Sequence, residues 1–345
     1  MQIPSPLEIR NTFPASKEVL SFIEKARQET ANIILHKTKK IALLVGPCSI
    51  HDPELALEYA SRLQSLSRKT KNILLIMRLF LEKPRTHAGW KGLIYDPRLD
   101  SSYDFSYGLK LGRKLLLDIA SLGIACSSEL LDPLVVPYFD DLISWGIIGA
   151  RTSASQPHRQ LASGLAFPVG FKNGIHGELD SAIYGILSSQ DSHTHLSIDE
   201  NGRIFSKQTK GNSLTHLVLR GSDIKPNYDA ESVGLALDTL KKHHLEPKVL
   251  IDCSHGNSNK DHKLQSTAFK SVIEQLCLGN DAILGLMLES HIRAGKQPLG
   301  KDPSKLSYGV SITDACIGWE ETESLILWAD EKLSSLPTSI SFVQK

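Results

Sequence analysis

The chain has 345 residues, and its 39 lysines and arginines nearly cancel its 38 aspartates and glutamates. That balance leaves no broad electrostatic footprint for nucleic acid or an anionic membrane surface, and no apolar run approaches the roughly 20 residues that span a bilayer. The length suits one barrel of roughly 250 residues with an arm and loop insertions, and no linker or compositional break marks a second domain. The opening residues, MQIPSPLEIR, lack a charged stretch followed by an apolar core, so no secretory signal is expected. Cys48, Cys126, Cys253, Cys277 and Cys316 are odd in number and show no C-x-x-C spacing. They predict reduced thiols in a cytoplasmic protein, with neither a zinc knot nor a disulfide framework.

In chain order, Val19, Phe22, Ile23, Ala26, Ala31 and Ile34 recur at mostly helical spacing, which predicts an amphipathic helix over residues 16–36. It precedes the first strand, so it is expected to cover the barrel bottom or to join a subunit contact. IALLVGP then runs into Cys48, and SIHDP leads to the helix ELALEYASRLQSL, with Asp52 as N-cap and Pro53 at the first helical position. ILLIM runs into Arg78 and the long loop LEKPRTHAGWKGLIYDPRLD, rich in glycine, proline and charge; such loops usually carry function. The helix YGLKLGRKLLLDIAS follows, then GIACSS into Glu129, a helix over DPLVVPYFDDLISW, IIGA into Arg151, PVGF into Lys172 and the helix GELDSAIYGILSS. Residues 190–212 hold Glu200, Asn201 and Gly202 between LSID and RIFS, a β-hairpin signature expected to serve an interface or an effector site. THLVL into Arg220, VLIDCS into His255 and ILGLML into Glu289 complete the strands, separated by the helices AESVGLALDTLKKHH and STAFKSVIEQLCLG and closed by EETESLILWADEKL.

Eight apolar runs, each ending near a residue able to do chemistry and most followed by a helix, predict a single (β/α)8 TIM barrel of the α/β class. The expected layout is an N-terminal arm and helix at residues 1–36, the barrel at 37–335 with the hairpin as an insertion, and a tail at 336–345. Cys48, His255 and Glu289 at strand ends, with Asp314 in SITDACIGW, form a mixed soft and hard ligand set. That set suits one divalent ion such as Mn, Fe, Co or Zn better than Mg or Ca. Cys253 lies two residues before His255, so the strand period puts both on one side, with Cys253 a spectator deeper in the barrel. Arg78, Lys83, Arg85, Arg151, Lys172 and Arg220 are expected to converge on one mouth. Salt bridges to Glu129 or Asp252 account for one or two of these cations but not six, so the expected ligands carry several negative charges. Guanidinium forks match carboxylate and phosphate. His193 and His195 have an H-x-H spacing, but they follow a polar stretch instead of the first strand, and no Gly-rich nucleotide signature occurs.

LLVGPCSIHDP, MRLFLEKPRTHAGWKGLIYDP, SWGIIGARTSASQPHRQLASGLAFPVGFKNG, LRGSDIKPNY, IDCSHGNS, MLESH and YGVSITDACIGWE occur in this order. Together they resemble the type I 3-deoxy-D-arabino-heptulosonate 7-phosphate (DAHP) synthases, from about Phe13 to the last helix. The resemblance implies a metal-dependent barrel, dimeric or tetrameric, that condenses phosphoenolpyruvate with erythrose 4-phosphate at the entry to the shikimate pathway. It places the metal on Cys48, His255, Glu289 and Asp314. Phosphoenolpyruvate falls on Arg78, Lys83, Arg151, Lys172 and Arg220 with Glu129 nearby, and erythrose 4-phosphate on Lys83, Pro84, Arg85 and Thr86. Lys83 and His255 are the candidates for proton transfer. The rival readings are a KDO 8-phosphate synthase acting on arabinose 5-phosphate, against which KPRT speaks, and a catalytically silent barrel, against which the complete ligand set speaks. The arm is shorter than in the better-known bacterial members, and Ala166 stands where feedback-sensitive relatives often have serine. Weak or absent feedback inhibition is therefore expected, with one wall of the effector site missing.

Overall fold

The computed structural model describes residues 3–85 and 89–335; Thr86 and the tail expected at 336–345 lie outside them. Eight parallel strands close into a barrel: β1 (Ile41–Gly46), β2 (Ile73–Arg78), β3 (Ala125–Glu129), β4 (Trp145–Ile148), β5 (Val169–Lys172), β8 (Thr215–Leu219), β9 (Val249–Asp252) and β10 (Ile283–Glu289). Each strand pairs with its neighbours in sequence, and β1 pairs with β10 to close the ring. The strands are apolar on both sides because the barrel has two cores. Ala42, Leu44, Ile76, Ile147, Val218, Leu250 and Met287 fill the interior. Leu43, Val45, Phe171, Leu217, Ile251 and Leu288 face outward onto helix residues such as Leu63, Phe269 and Ile326.

The surrounding helices are α3 (Pro53–Ser67), α4 (Phe105–Ser121), α5 (Gln156–Ser163), α6 (Asp180–Gln190), α7 (Ala230–Lys242), α8 (Gln265–Cys277) and α9 (Trp319–Ser334). Asp52 caps α3 as expected, accepting from the amides of Glu54 and Leu55. The helix expected over DPLVVPYFDDLISW is absent: that segment holds a 3-10 turn, Val136–Tyr138, and ends on the first residue of β4. A helix there would drive the Pro137 ring into the carbonyl of Pro133 four residues back. Arginines take up the carbonyls left unpaired. Arg10 donates to Pro137 O at 2.7 Å, Arg113 to Tyr138 O at 3.1 Å, Arg27 to Ile143 O at 2.7 Å, and Arg27 also to Asp140 O. The short α5, only eight residues, was not anticipated.

The arm contains two helices, α1 (Pro6–Thr12) and α2 (Lys17–Ile34). A reciprocal capping box between Ser5 and Glu8 starts α1. Through Phe22, Ala26, Ile33 and Ile34, α2 joins the interior core, and Arg27 and Lys248 tie it to the segments that enter β4 and β9. It therefore plugs the bottom of the barrel, the first of the two expected roles. The hairpin forms as expected from β6 (Thr194–Ile198) and β7 (Ile204–Gln208), and its Glu200 O accepts the amide of Leu7 in α1 at 2.7 Å. Arm and hairpin together wall a cavity of about 420 Å³ whose lining includes Ile3, Glu8, Tyr95, Asp132, Tyr138 and Ile198. The arm thus forms part of the wall of this cavity. Among the described residues, no helix is long and apolar enough to cross a membrane.

Candidate active site

The alternation that turns Ile76, Val218, Leu250 and Met287 into the barrel also turns the residues two positions later inward, toward the C-terminal rim. Those residues are Arg78, Arg220, Asp252 and Glu289. Lys172 follows outward-facing Phe171 and so joins them. β4 and β9 end three residues before Arg151 and His255, so connecting turns present both side chains. A polar cavity of about 330 Å³ opens at this rim. Lys83, Pro84, Arg85, Glu129, Arg151, Lys172, Arg220, His255, Glu289 and Asp314 line it, and Ser254, Lys260, His262 and Lys296 share its wall. Nearly all the residues singled out from the sequence thus converge. Thr86 lies outside the described residues.

Two of them sit beneath the cavity. Arg78 is 1 % exposed, donates to Glu289 Oε1 at 3.1 Å, and stacks 4.0 Å from the centre of the Phe80 ring. Cys48 is fully buried. At least three of the six cations have carboxylate partners, more than the one or two expected: Arg78 with Glu289, Lys83 with Asp314 at 2.8 Å, and Lys172 with Asp252 at 2.7 Å. Those carboxylates are themselves parts of the site, so the cations still crowd one mouth. Burial lowers the pKa of Arg220, and neighbouring Arg151 adds to that while Asp252 opposes it. A guanidinium placed this way gains from any bound anion.

Asp252 is the site residue the sequence reading missed as such. Its carboxylate has no solvent exposure; Oδ2 accepts from Lys172 Nζ and lies 2.9 Å from His255 Nδ1, while Oδ1 accepts from the amide and hydroxyl of Ser254. Burial alone would raise its pKa, but His255 and Lys172 hold it well below the usual carboxylate range. Fixing Nδ1 aims the other ring nitrogen of His255, Nε2, at Glu289 Oε1, 3.6 Å away. His255 adopts this pose with φ 56°, a conformation uncommon for a side-chain-bearing residue. Cys253, by contrast, faces the outer core beside Ile251. Strand alternation stops at Asp252, so Cys253 and His255 lie on opposite sides, contrary to expectation, and Cys253 is not deeper in the interior.

Ligand atoms of Cys48, Glu289 and Asp314 lie within 4.8 Å of one another; His255 falls outside that group, but its Nε2 is 3.6 Å from Glu289 Oε1. This donor set of thiol, imidazole and two carboxylates fits a borderline divalent ion. Burial, then Glu289, pushes the Cys48 thiol up to about 12, so an ion bound there must displace a proton. Lys83 Nζ sits in the same cluster, 2.9 Å from Cys48 Sγ. Burial would lower its pKa, but Cys48, Asp314 and Glu289 raise it above the ordinary value. The Glu129 carboxylate lies over Gly149, where a Cβ would come within 2.3 Å of Oε1 and would displace it.

Known proteins match this chain closely. It is 44% identical over 323 residues to the Tyr-sensitive phospho-2-dehydro-3-deoxyheptonate aldolase of Escherichia coli, covering 93% of this chain and 90% of the relative. The Trp-sensitive aldolase of the same organism is 44% identical over 333 residues, covering 96% and 94%. The solved phospho-2-dehydro-3-deoxyheptonate aldolase of Francisella tularensis superposes with a TM-score of 0.95 at 42% identity, covering 98% of both chains. The DAHP synthetase I family model matches residues 17–326, nearly the whole barrel and its plugging helix, and the chain belongs to that family.

Proposed function

We propose that this protein condenses phosphoenolpyruvate with D-erythrose 4-phosphate to give 3-deoxy-D-arabino-heptulosonate 7-phosphate and phosphate, the first step of the shikimate pathway to chorismate and the aromatic amino acids. The observation that carries the reading is the family match over residues 17–326. A cation-rich cavity beside a thiol, imidazole and carboxylate cluster supports it. In this reading Cys48, His255, Glu289 and Asp314 would hold one divalent ion, Mn, Fe, Co or Zn. Bound there, the ion supplies Lewis-acid polarisation of the aldehyde oxygen.

Arg151, Lys172, Arg220 and Lys83 bind the phosphate and carboxylate of phosphoenolpyruvate, with Glu129 at the edge. Arg78 acts from below by holding Glu289. Lys83, Pro84, Arg85 and Thr86 take the sugar phosphate. Holding both substrates by their anionic ends brings the enol carbon to the aldehyde carbon, which is catalysis by proximity. Water then attacks the cationic carbon and phosphate leaves by C–O cleavage, with Lys83 or His255 handling the proton. The reading takes residues 1–36 as an arm on one catalytic domain, and the enzyme as a cytoplasmic homodimer or homotetramer. Relatives named Tyr-sensitive and Trp-sensitive stand at equal identity, so similarity selects no effector.

The test is phosphoenolpyruvate consumption with erythrose 4-phosphate or arabinose 5-phosphate, after chelation and after adding back Mn, Co or Fe. Turnover with the four-carbon sugar alone, lost on chelation and restored by metal, is expected. Preference for arabinose 5-phosphate, or full activity without metal, refutes the corresponding part of the reading.

A further inference from the structure

We infer that Glu82 is a positioning residue for this reaction: as a neutral carboxylic acid it clamps the loop of residues 83–85 to the loop that follows Glu129. The inference rests on the proposed function for its activity readout and on geometry for the proton. Glu82 is only 3 % exposed. The Tyr95 hydroxyl lies 3.2 Å from Glu82 Oε1 and 3.1 Å from Asp132 Oδ2, and the Asp132 amide is 3.5 Å from Glu82 Oε2. One phenolic hydrogen cannot be donated to two carboxylates at once. The second hydrogen in this chain of contacts must come from a carboxyl group, and Glu82 is the more buried of the two.

Among the described residues, no cation forms an ion pair of 4.0 Å or less with Glu82. The charged groups that bear on it, Asp132 and Glu129, are both acidic. Its neighbour Lys83 turns its ammonium toward Cys48 and Asp314, and Arg85 donates to Trp90 O at 2.8 Å. Burial, then Asp132, pushes the Glu82 carboxyl up to about 8, so it is protonated at neutral pH.

The clamp has a direct path to the cavity. Glu82 precedes Lys83, whose amide donates to Lys91 O at 2.8 Å. The returning loop packs onto the Glu82 backbone at Gly92, where φ is +114° and a Cβ would lie 2.6 Å from Glu82 Cα. On the other side, Asp132 is three residues beyond Glu129, which lines the cavity. Losing the Glu82 proton places a second carboxylate against Asp132 in a dry site and breaks the shared hydrogen bond. Lys83 and Arg85 then lose their register with Glu129.

The experiment measures KM and kcat for erythrose 4-phosphate across the neutral and alkaline range in wild type, Glu82→Gln and Tyr95→Phe, with metal present. One group titrating near 8 should raise the wild-type KM roughly 25-fold from about pH 7.5 to about pH 9.5 if only the protonated form binds. Glu82→Gln cannot lose that proton, so it should match wild type at neutral pH and change less than about twofold over the range. Tyr95→Phe should show a raised KM already at neutral pH. The same alkaline rise in Glu82→Gln as in wild type overturns the inference.

An infrared difference spectrum decides the proton independently of turnover. Wild type minus Glu82→Gln at neutral pH should show a protonated-carboxyl band that disappears at alkaline pH, and its absence also overturns the inference. The alkaline-minus-neutral spectrum of wild type alone should lose the same band if the glutamine variant does not fold. Failure of wild type to turn over phosphoenolpyruvate with either sugar would refute the proposed function, with the infrared result still standing on its own.

Discussion

Replacing Asp252 with asparagine tests whether one buried carboxylate organises the site. In wild type, Asp252 meets Lys172 Nζ at 2.7 Å, His255 Nδ1 at 2.9 Å, and the Ser254 amide and hydroxyl at 3.0 and 2.7 Å. An asparagine oxygen can keep the two Ser254 contacts, but its NH2 group then points at two further donors. Two hydrogen bonds to a charged group are lost, each worth about 1.5–3 kcal/mol. That sum agrees with the roughly 3–5 kcal/mol typical of breaking a buried ion pair by removing one partner. A loss near 4 kcal/mol is about a thousandfold in the folding equilibrium and a large share of the roughly 5–15 kcal/mol by which proteins are stable. The assay is a urea titration by circular dichroism, with unfolding rates measured alongside in case refolding is incomplete. Adding Lys172→Met should recover much of the stability by removing the stranded ammonium, while activity stays low. A loss below about 1 kcal/mol for Asp252→Asn would show that the carboxylate does not bear this load.

Cys48→Ser should abolish most turnover and lower bound metal measured by mass spectrometry, with an unchanged circular dichroism spectrum; normal turnover and metal content would make Cys48 structural. Arg85→Ala should raise KM for erythrose 4-phosphate at least about tenfold, from a charged contact worth about 1.5–3 kcal/mol, and leave that for phosphoenolpyruvate nearly unchanged. A larger effect on phosphoenolpyruvate would reassign the KPRT loop. Millimolar phenylalanine, tyrosine and tryptophan are each expected to inhibit weakly, since Ala166 offers no hydroxyl; strong saturable inhibition by any one of them would refute this expectation.

The periodicities of the chain were enough to specify the barrel, because burial on both faces of a parallel strand and on one face of each helix leaves a direct mark on residue order. They also specified the plugging helix, the Asp52 cap and the Asn-Gly hairpin, each a local matter of spacing and turn chemistry. The candidate metal and anion residues were legible because barrel chemistry sits where strands end. Other features were decided only by contacts between segments remote in sequence. The segment DPLVVPYFDDL has the apolar content of a helix, but arginines from the arm and from α4 bind its carbonyls in the folded chain. Arg78 looks like a pocket cation until Glu289, 211 residues away, is seen to hold it below the floor. Asp252 looked like a possible counter-ion until His255 and Lys172 were found on one of its oxygens. Glu82 acquires its significance from Tyr95 and Asp132, on two other loops. Periodicity records which side of an element is buried; which polar group ends up opposite another depends on how the strands close, and the ring closes only in three dimensions.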